Sequence, residues 1–294
     1  MIISAIGNSV KLDNRRNIYY NIVSKKSGEI KLKASVCIVT YNNKDNINAA
    51  IDSIINTADL IETTLYICDN NSTDGTPELI AEHYPYINLI RNKENGGFAH
   101  GHNTVLPLLN SDYHFIVNPD IILKTDVIGE MCHFLEENRD IVMAVPKFEF
   151  ENGEEQFTPK LTPKFRYMLG GRLEKLGGIF RKWRREYTFA DRNITEVTDV
   201  GFCSGCFIAV RTEIFKKING FDERYFLYSE DADITRMAAK YGRTVYAPQF
   251  TVIHHWERAY MKKPKYFFIQ LRSMFKYFYK WRGNGKYAGE KNNA

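Results

Sequence analysis

Between residues 34 and 145 the apolar positions form two alternating patterns: short continuous runs, and longer stretches in which they recur every three or four places. The run at 35–40 (SVCIVT) suits a strand buried on both faces, and those at 65–68, 87–90, 113–117 and 141–145 read as further strands. Ile47, Ala50, Ile51, Ile54, Ile55 and Ala58 keep helical spacing, as do Val127, Ile128, Met131, Phe134 and Leu135. Thr76 with Pro77 reads as a cap followed by proline at the first helical position, and another helix follows Phe98. Strand alternating with helix predicts an α/β fold: a mostly parallel central sheet flanked by helices and joined by right-handed crossovers. Further on, 206–210 reads as a buried strand ending at Arg211. Ile214, Phe215 and Ile218 make a helical turn closed by Asn219 and Gly220. Ile234, Met237 and Ala238 then line one face of a helix that opens at Glu230 and Asp231.

In open sheets of this kind ligands bind outside the carboxyl ends of the strands. There the chain places Thr40, Tyr41 and Asn42; then Asp69, Asn70, Asn71, Ser72, Thr73, Asp74 and Gly75; then Asn95, Gly96, Gly97 and Phe98; then Asn118, Pro119 and Asp120. Any one of these loops is ordinary turn chemistry. Four successive strands ending in hydrogen-bonding or acidic groups describe a polar cleft of nucleotide size. Acids at a helix start are likewise ordinary caps, and Glu230 with Asp231 gain interest only from this company upstream.

Composition narrows the class. The chain has 294 residues, 44% hydrophobic and 26% charged, with a net charge of +5, which suits one large α/β domain with appendages. No apolar run of 18 residues exists to span a bilayer, and the N-terminal stretch lacks the basic region and length of a secretory signal, so the expected location is the cytoplasm. Cys37, Cys68 and Cys132 sit in apolar patterns. Cys203 and Cys206 form a C-x-x-C without a second pair at zinc spacing, so all five cysteines read as structural thiols of a reducing compartment.

Taken in order, SVCIVTYNN, CDNNSTDGT, NGGFAHGHN, VNPD, GFDERYFLYSEDADITRMAAKYG and VIHHW resemble a family 2 glycosyltransferase of the GT-A (Rossmann-like) fold, over roughly residues 35–255. Among subfamilies the chain is most similar to bacterial rhamnosyltransferase-like enzymes of polysaccharide and cell-wall synthesis. The resemblance implies that Thr40, Tyr41 and Asn42 border the base, that Asp69 holds base or ribose, and that Asn70, Ser72 and Asp74 shape that loop. It lays Asn95, Gly96, Gly97 and Phe98, with His102 and Asn103 behind them, along the nucleotide and sugar. The family's metal-binding Asp-x-Asp stands here as Asn118-Pro119-Asp120, so Asp120 is the expected ligand and Asn118 a weaker neighbour on the donor. His254, rather than His255, fits the added histidine, and Mn²⁺ or Mg²⁺ is the implied cofactor. Asp231 matches the base, Glu230 would orient acceptor or base, and Asp222 would touch the acceptor. The implied reaction is inverting transfer of a sugar to a hydroxyl, with rhamnose from dTDP-rhamnose favoured over a UDP-hexose and a glycan or lipid-linked glycan as acceptor. The Gln-x-x-Arg-Trp motif of processive synthases is absent.

The expected organisation is an N-terminal extension at 1–33, the catalytic domain at 34–255 with an acceptor-side insertion at 151–199, and a C-terminal basic aromatic helical tail at 256–294. The insertion carries two Gly-Gly pairs and the cluster Arg181, Lys182, Arg184 and Arg185 around Trp183. Residues 258–286 hold nine Lys or Arg and no acid, interleaved with aromatics. That composition suits either a helix on anionic lipid, peripheral on the inner face of the plasma membrane, or one packing its aromatics on the core. A homodimer is a further partner the sequence leaves open. A nucleotidyltransferase would carry a Gly-rich, basic first loop, where only Lys44 stands. A basic nucleic-acid-binding protein would leave the polar strand ends and the Glu230–Asp231 pair without a role, so no nucleic acid is expected.

Overall fold

The computed structural model describes residues 32–156, 159–189, 191–255 and 264–282. The N-terminal extension thus lies outside the described residues apart from its last two positions, as do both ends of the C-terminal tail. The alternation expected from the sequence opens the fold. It runs β1 (Lys33–Thr40), α1 (Ile47–Thr57), β2 (Glu62–Asp69), α2 (Thr76–His83), β3 (Asn88–Arg91), α3 (Gly97–Asn103) and β4 (Tyr113–Val117). Strands β3-β2-β1-β4 lie side by side and parallel, with Thr40 level with Asp69 and Asp69 level with Arg91. That shared register brings the polar strand ends to one edge. β1 is buried along nearly its whole length, which is why its sequence is continuously apolar, and α1 buries Ile47, Ala50, Ile51 and Ile54.

The second half is mixed. After β4 come β5 (Ile121–Ile122), α4 (Val127–Glu137), β6 (Ile141–Glu149), β7 (Glu155–Gln156), α5 (Phe165–Leu173), α6 (Gly178–Thr188), β8 (Thr198–Asp199), β9 (Phe207–Arg211), α7 (Thr212–Lys217), α8 (Glu230–Ala238), β10 (Arg243–His254) and α9 (Pro264–Lys280). β6 and β10 are parallel, whereas β9 is antiparallel to both β4 and β6, and β5 and β8 are antiparallel to β10. The mostly parallel sheet is interrupted by antiparallel β9 between β4 and β6, and parallel pairing resumes between β6 and β10. A five-residue buried run has the same composition in either direction, so β9 was legible as a strand but its orientation was not. Arg211 secures the reversal. Its buried guanidinium donates to the carbonyls of Ile141 and Leu135 and to the Tyr113 hydroxyl, bolting β9 to β6, α4 and β4.

Within the expected insertion, α5 packs against α6 as a helical hairpin in which the Tyr167 and Tyr187 rings stack at 5.1 Å. α9 runs beside the hairpin, with Arg172 reaching Gln270 at 3.3 Å and Phe165 meeting Phe278 edge-on. One face of α9 is in the core: Tyr277 and the following Trp281 pack with Tyr225 and Ala232. Phe268, Phe275 and Tyr279 stay exposed on the other. Of the two fates weighed from composition, packing of aromatics on the protein is met by the buried face of the helix. No helix among the described residues is long and apolar enough to cross a membrane.

Candidate active site

The donor-side edge is a set of loops that tie one another down. Asn42 sits in the left-handed region (φ 57°). Its N–H donates to Ser72 Oγ at 2.9 Å and its Oδ1 accepts from Thr73 N–H at 2.8 Å. Asp74 accepts from Lys44 N–H and from both the N–H and hydroxyl of Thr76; burial, the largest single influence, pushes its carboxyl up, but these hydrogen bonds together hold it below the usual range. Asp69 takes Ser72 N–H on Oδ2 at 2.9 Å. Its Oδ1 is buried without a partner, a group poised for a donor from outside. Thr40 is buried and holds Asn43, whereas Tyr41 is exposed at the rim. Asn70 donates to the Gly97 carbonyl at 3.0 Å and accepts from Asn92, joining the second and third strand ends. Asn95 Oδ1 accepts from Gly97 N–H. Gly97 has φ +88°, and a Cβ there would lie 2.2 Å from the Phe226 carbonyl oxygen, so only glycine lets α3 start under the 219–229 loop. Phe98 N–H donates to that same carbonyl.

Two residues expected to meet ligand also hold protein partners. Asn103 spends its amide on Phe221 N–H, the Phe221 carbonyl and Glu223, fastening the loop to α3. Asp222 is bound by Arg224 and by Lys280 at 2.9 Å, which hold its carboxyl far below the usual range against the opposing pull of burial. His102 is fully buried against Phe98 and Phe221, and burial keeps its imidazole neutral.

The acidic pair is built differently. Tyr228 and Ser229 both adopt left-handed backbone (φ 69° and 70°), a costly conformation for residues with a Cβ, and it turns the chain into α8 at Glu230. Glu230 is buried with Oε2 unpartnered; burial first, then the Asp231 charge beside it, drive its proton affinity well up. Asp231 is partly accessible. Its Oδ1 accepts from Ala232 N–H at 2.8 Å and its Oδ2 from Gly205 N–H at 3.4 Å. Burial raises its carboxyl, and the ammonium of Lys160 pulls it back. Lys160 itself, 4.5 Å above the Phe202 ring, is lowered by burial while the Asp231 charge opposes that shift. The sequence reading passed over Lys160, because a lone lysine in an irregular stretch has no periodic or motif signal.

The loop 203–206 carries the pair across to the third polar group. Cys203 N–H donates to Thr235 Oγ1, whose hydroxyl donates to the Asp231 carbonyl. Asn118 N–H donates to the Cys206 carbonyl at 2.9 Å. Burial pushes the Cys203 thiol up to about 12, which suits a structural thiol. Cys206 contacts His254, and His254 Nε2 lies 3.5 Å from Asp120 Oδ2. Burial disfavours the imidazolium, but Asp120 and Cys206 outweigh it and raise His254 to about 10. The Asp120–His254 meeting follows from topology, since β5 pairs antiparallel with β10 so that Ile121 faces His254. His255 instead points to exposed Glu151.

Among the described residues no cluster of three or more His, Cys, Asp or Glu side chains is set to hold a metal ion. The residues present nonetheless fit a divalent cation that brings further oxygens with it. Asp120 Oδ1 is buried and unpartnered, and an imidazole nitrogen faces the same carboxylate.

The family model described as Glycosyl transferase family 2 matches residues 35–219. The N-acetylglucosaminyl-diphospho-decaprenol L-rhamnosyltransferase of Mycobacterium tuberculosis is 26% identical over 75% of this chain and 75% of its own. Rhamnosyltransferase WbbL of Escherichia coli K12 is 27% identical over 82% of this chain and 91% of its own. Among solved structures, the mannosyltransferase PcManGT from Pyrobaculum calidifontis, in complex with GDP-Man and Mn²⁺, superposes with a TM-score of 0.60 at 17% identity, covering 88% of this chain and 66% of that one.

Proposed function

The chain belongs to glycosyl transferase family 2 and has the GT-A fold, and from that premise we propose that it moves rhamnose from dTDP-rhamnose to a hydroxyl of a glycan or lipid-linked glycan in one inverting displacement. The observation that carries this reading is that the 203–206 loop joins two unlike polar groups: a carboxylate with raised proton affinity at Asp231, held by Gly205 N–H, and the Asp120–His254 pair against Cys206. The first is a proton acceptor. The second is a seat for negative charge.

In this mechanism Asp231 accepts the proton of the acceptor hydroxyl as the oxygen bonds to the anomeric carbon. The bond from that carbon to the diphosphate breaks on the far side, and the nucleoside diphosphate leaves with the electron pair. With one base and no nucleophile forming a covalent sugar, the configuration inverts. Burial gives Asp231 the basicity an ordinary surface aspartate lacks, and Lys160 keeps it ionised enough to act. Glu230 orients the acceptor or Asp231. Thr40, Tyr41, Asn42, Asp69 and the Asn95–Phe98 turn hold the nucleotide, with Asn70, Ser72 and Asp74 bracing them. Asp120 and His254 would hold Mn²⁺ or Mg²⁺ together with diphosphate oxygens, and that ion would neutralise the charge gathering on the leaving group.

The preference for rhamnose rests on the activities named for the two relatives, and a UDP-hexose is the second reading. The lipid diphosphate in the mycobacterial relative's name supports an acceptor at a membrane. The exposed Phe268, Phe275 and Tyr279 of α9, on a helix without acids, support docking of this chain on anionic lipid. Flotation with phosphatidylglycerol vesicles, but not with phosphatidylcholine alone, is expected, and equal recovery from both would remove that part. The donor is tested by thermal shift and slow donor hydrolysis against dTDP-rhamnose and UDP- and GDP-sugars, with Mn²⁺, Mg²⁺ or EDTA. Metal-dependent stabilisation by dTDP-rhamnose is expected; selective response to a UDP-hexose would replace the donor, and response to none would defeat the transferase reading.

A further inference from the structure

Gln156 makes a contact with His254 whose hydrogen-bond directions are fully determined. It lies on β7, opposite Phe148 of β6, and is 6% exposed. Its Nε2 is 2.8 Å from the backbone carbonyl oxygen of His254, and its Oε1 is 2.9 Å from Nδ1 of the same residue's ring. A backbone carbonyl can only accept, so the NH₂ end of the amide must face it. The amide oxygen is then turned to the ring. An amide oxygen also only accepts, so Nδ1 must carry a hydrogen. In the neutral ring Nε2 is then the nitrogen that offers a lone pair. That nitrogen faces Asp120 at 3.5 Å, beside the buried, unpartnered Oδ1. The Phe148 ring, edge-on to the imidazole at 5.9 Å, packs against it from the strand that also positions Gln156.

We propose that Gln156 is a positioning residue for the cation site: by gripping both the backbone and the ring of His254 it fixes the Nδ1–H form and aims Nε2 at the space beside Asp120. The proposal rests on the cation reading of Asp120 and His254 given above. It assigns a purpose to a two-residue strand at the start of the hairpin insertion, which otherwise adds little to the sheet. The hairpin can then influence the donor end of the site without touching donor, through a single side chain. Outer partners of ligating histidines are commonly worth 10- to 100-fold in metal affinity.

The test compares Gln156→Leu, which removes both hydrogen bonds, with Gln156→Glu, which keeps an acceptor toward Nδ1 and loses the donor toward the carbonyl. Mn²⁺ binding is measured by titration calorimetry on full-length protein in the presence of UDP or dTDP, alongside melting temperature without metal. Gln156→Leu is expected to bind Mn²⁺ about 10- to 100-fold more weakly, and Gln156→Glu to recover most of that loss. Proton–nitrogen NMR of the metal-free protein supplies a readout independent of the ion. Wild type is expected to show a slowly exchanging hydrogen on His254 Nδ1, and Gln156→Leu to lose its protection. Unchanged Mn²⁺ affinity in Gln156→Leu, equal losses in both variants, or no hydrogen on Nδ1 in wild type would each overturn the proposal. Failure of wild type to bind Mn²⁺ with either diphosphate would overturn the cation reading and the proposal with it, and the NMR result separates that outcome from a missing clamp.

Discussion

Between Asp222 and Asp233 the chain carries two acidic pairs, and the fold treats them in opposite ways. Asp222 and Asp233 share Lys280, whose Nζ lies 2.9 and 2.6 Å from them. Trp281 Nε1 adds a hydrogen bond to Asp233 at 2.7 Å, and Arg224 one to Asp222 at 2.8 Å. On the same helix as Asp233, Glu230 is buried with one oxygen unpartnered, and the partly accessible Asp231 beside it has only a lysine acting through space as counter-charge. The first pair is a fastener: it docks α9, and its charges are matched. The second is under-compensated, at a cost in stability that a purely structural cap would not carry. Proximity in sequence therefore says little about role; what distinguishes the pairs is whether the rest of the molecule supplies counter-charge.

The largest effect expected from breaking this contrast is at Asp231. Asp231→Asn should lower transfer or donor hydrolysis about 10²- to 10⁴-fold with an unchanged or higher melting temperature, because a carboxyl whose ionisation burial opposes has been removed; a matching loss of stability would make it a structural acid. Next is Lys280→Met, which strands Asp233 beneath α9. Breaking a buried ion pair from one side costs about 3 kcal/mol, so chemical denaturation should register a large loss, with specific activity of the remaining folded protein less affected than in Asp231→Asn.

Smaller effects sharpen the contrast. Lys160→Met removes the cation that opposes the upward shift of Asp231. The base must be ionised to work, so the acid limb of the pH–rate profile should move to higher pH; an unmoved limb would separate Lys160 from Asp231. Glu230→Gln should be smallest. Glu230 has a raised folded-state pKa, so below the unfolded value both states are protonated and the variant gains nothing. As pH rises above about 4.5 the unfolded chain releases a proton that the native state retains, and wild type loses stability relative to the variant. Unfolding measured from pH 4 to 8 should show that gap widening, and a constant gap would contradict the burial argument.

Much of this was legible in the sequence, and unevenly so. The donor half was readable because each signal is local: β1, the second half of β2 and β4 are apolar runs, and their polar ends stand beside them in the chain. The acceptor half depends on long-range partners. Asp222 matches a family position and has turn-like neighbours, yet its role is set by Lys280, far along the sequence. Asn103 likewise looked like part of the donor wall and instead buckles the 219–229 loop to α3. Lys160 and Gln156 have no signal of their own, since their importance comes from the strand pairing and hairpin that carry them to Asp231 and His254. The meeting of Asp120 and His254 was foreseen only through the resemblance, and the antiparallel β5–β10 pairing supplies its physical cause.

The central claim is that a single base at Asp231 drives direct displacement. Proton NMR of the free sugar released by slow donor hydrolysis, recorded before mutarotation, tests it most directly. Water then replaces the acceptor hydroxyl, and the account predicts that the first-formed anomer has the configuration opposite to that in the donor, with release suppressed in Asp231→Asn. A first-formed anomer of retained configuration, or release at the wild-type rate by Asp231→Asn, would contradict it.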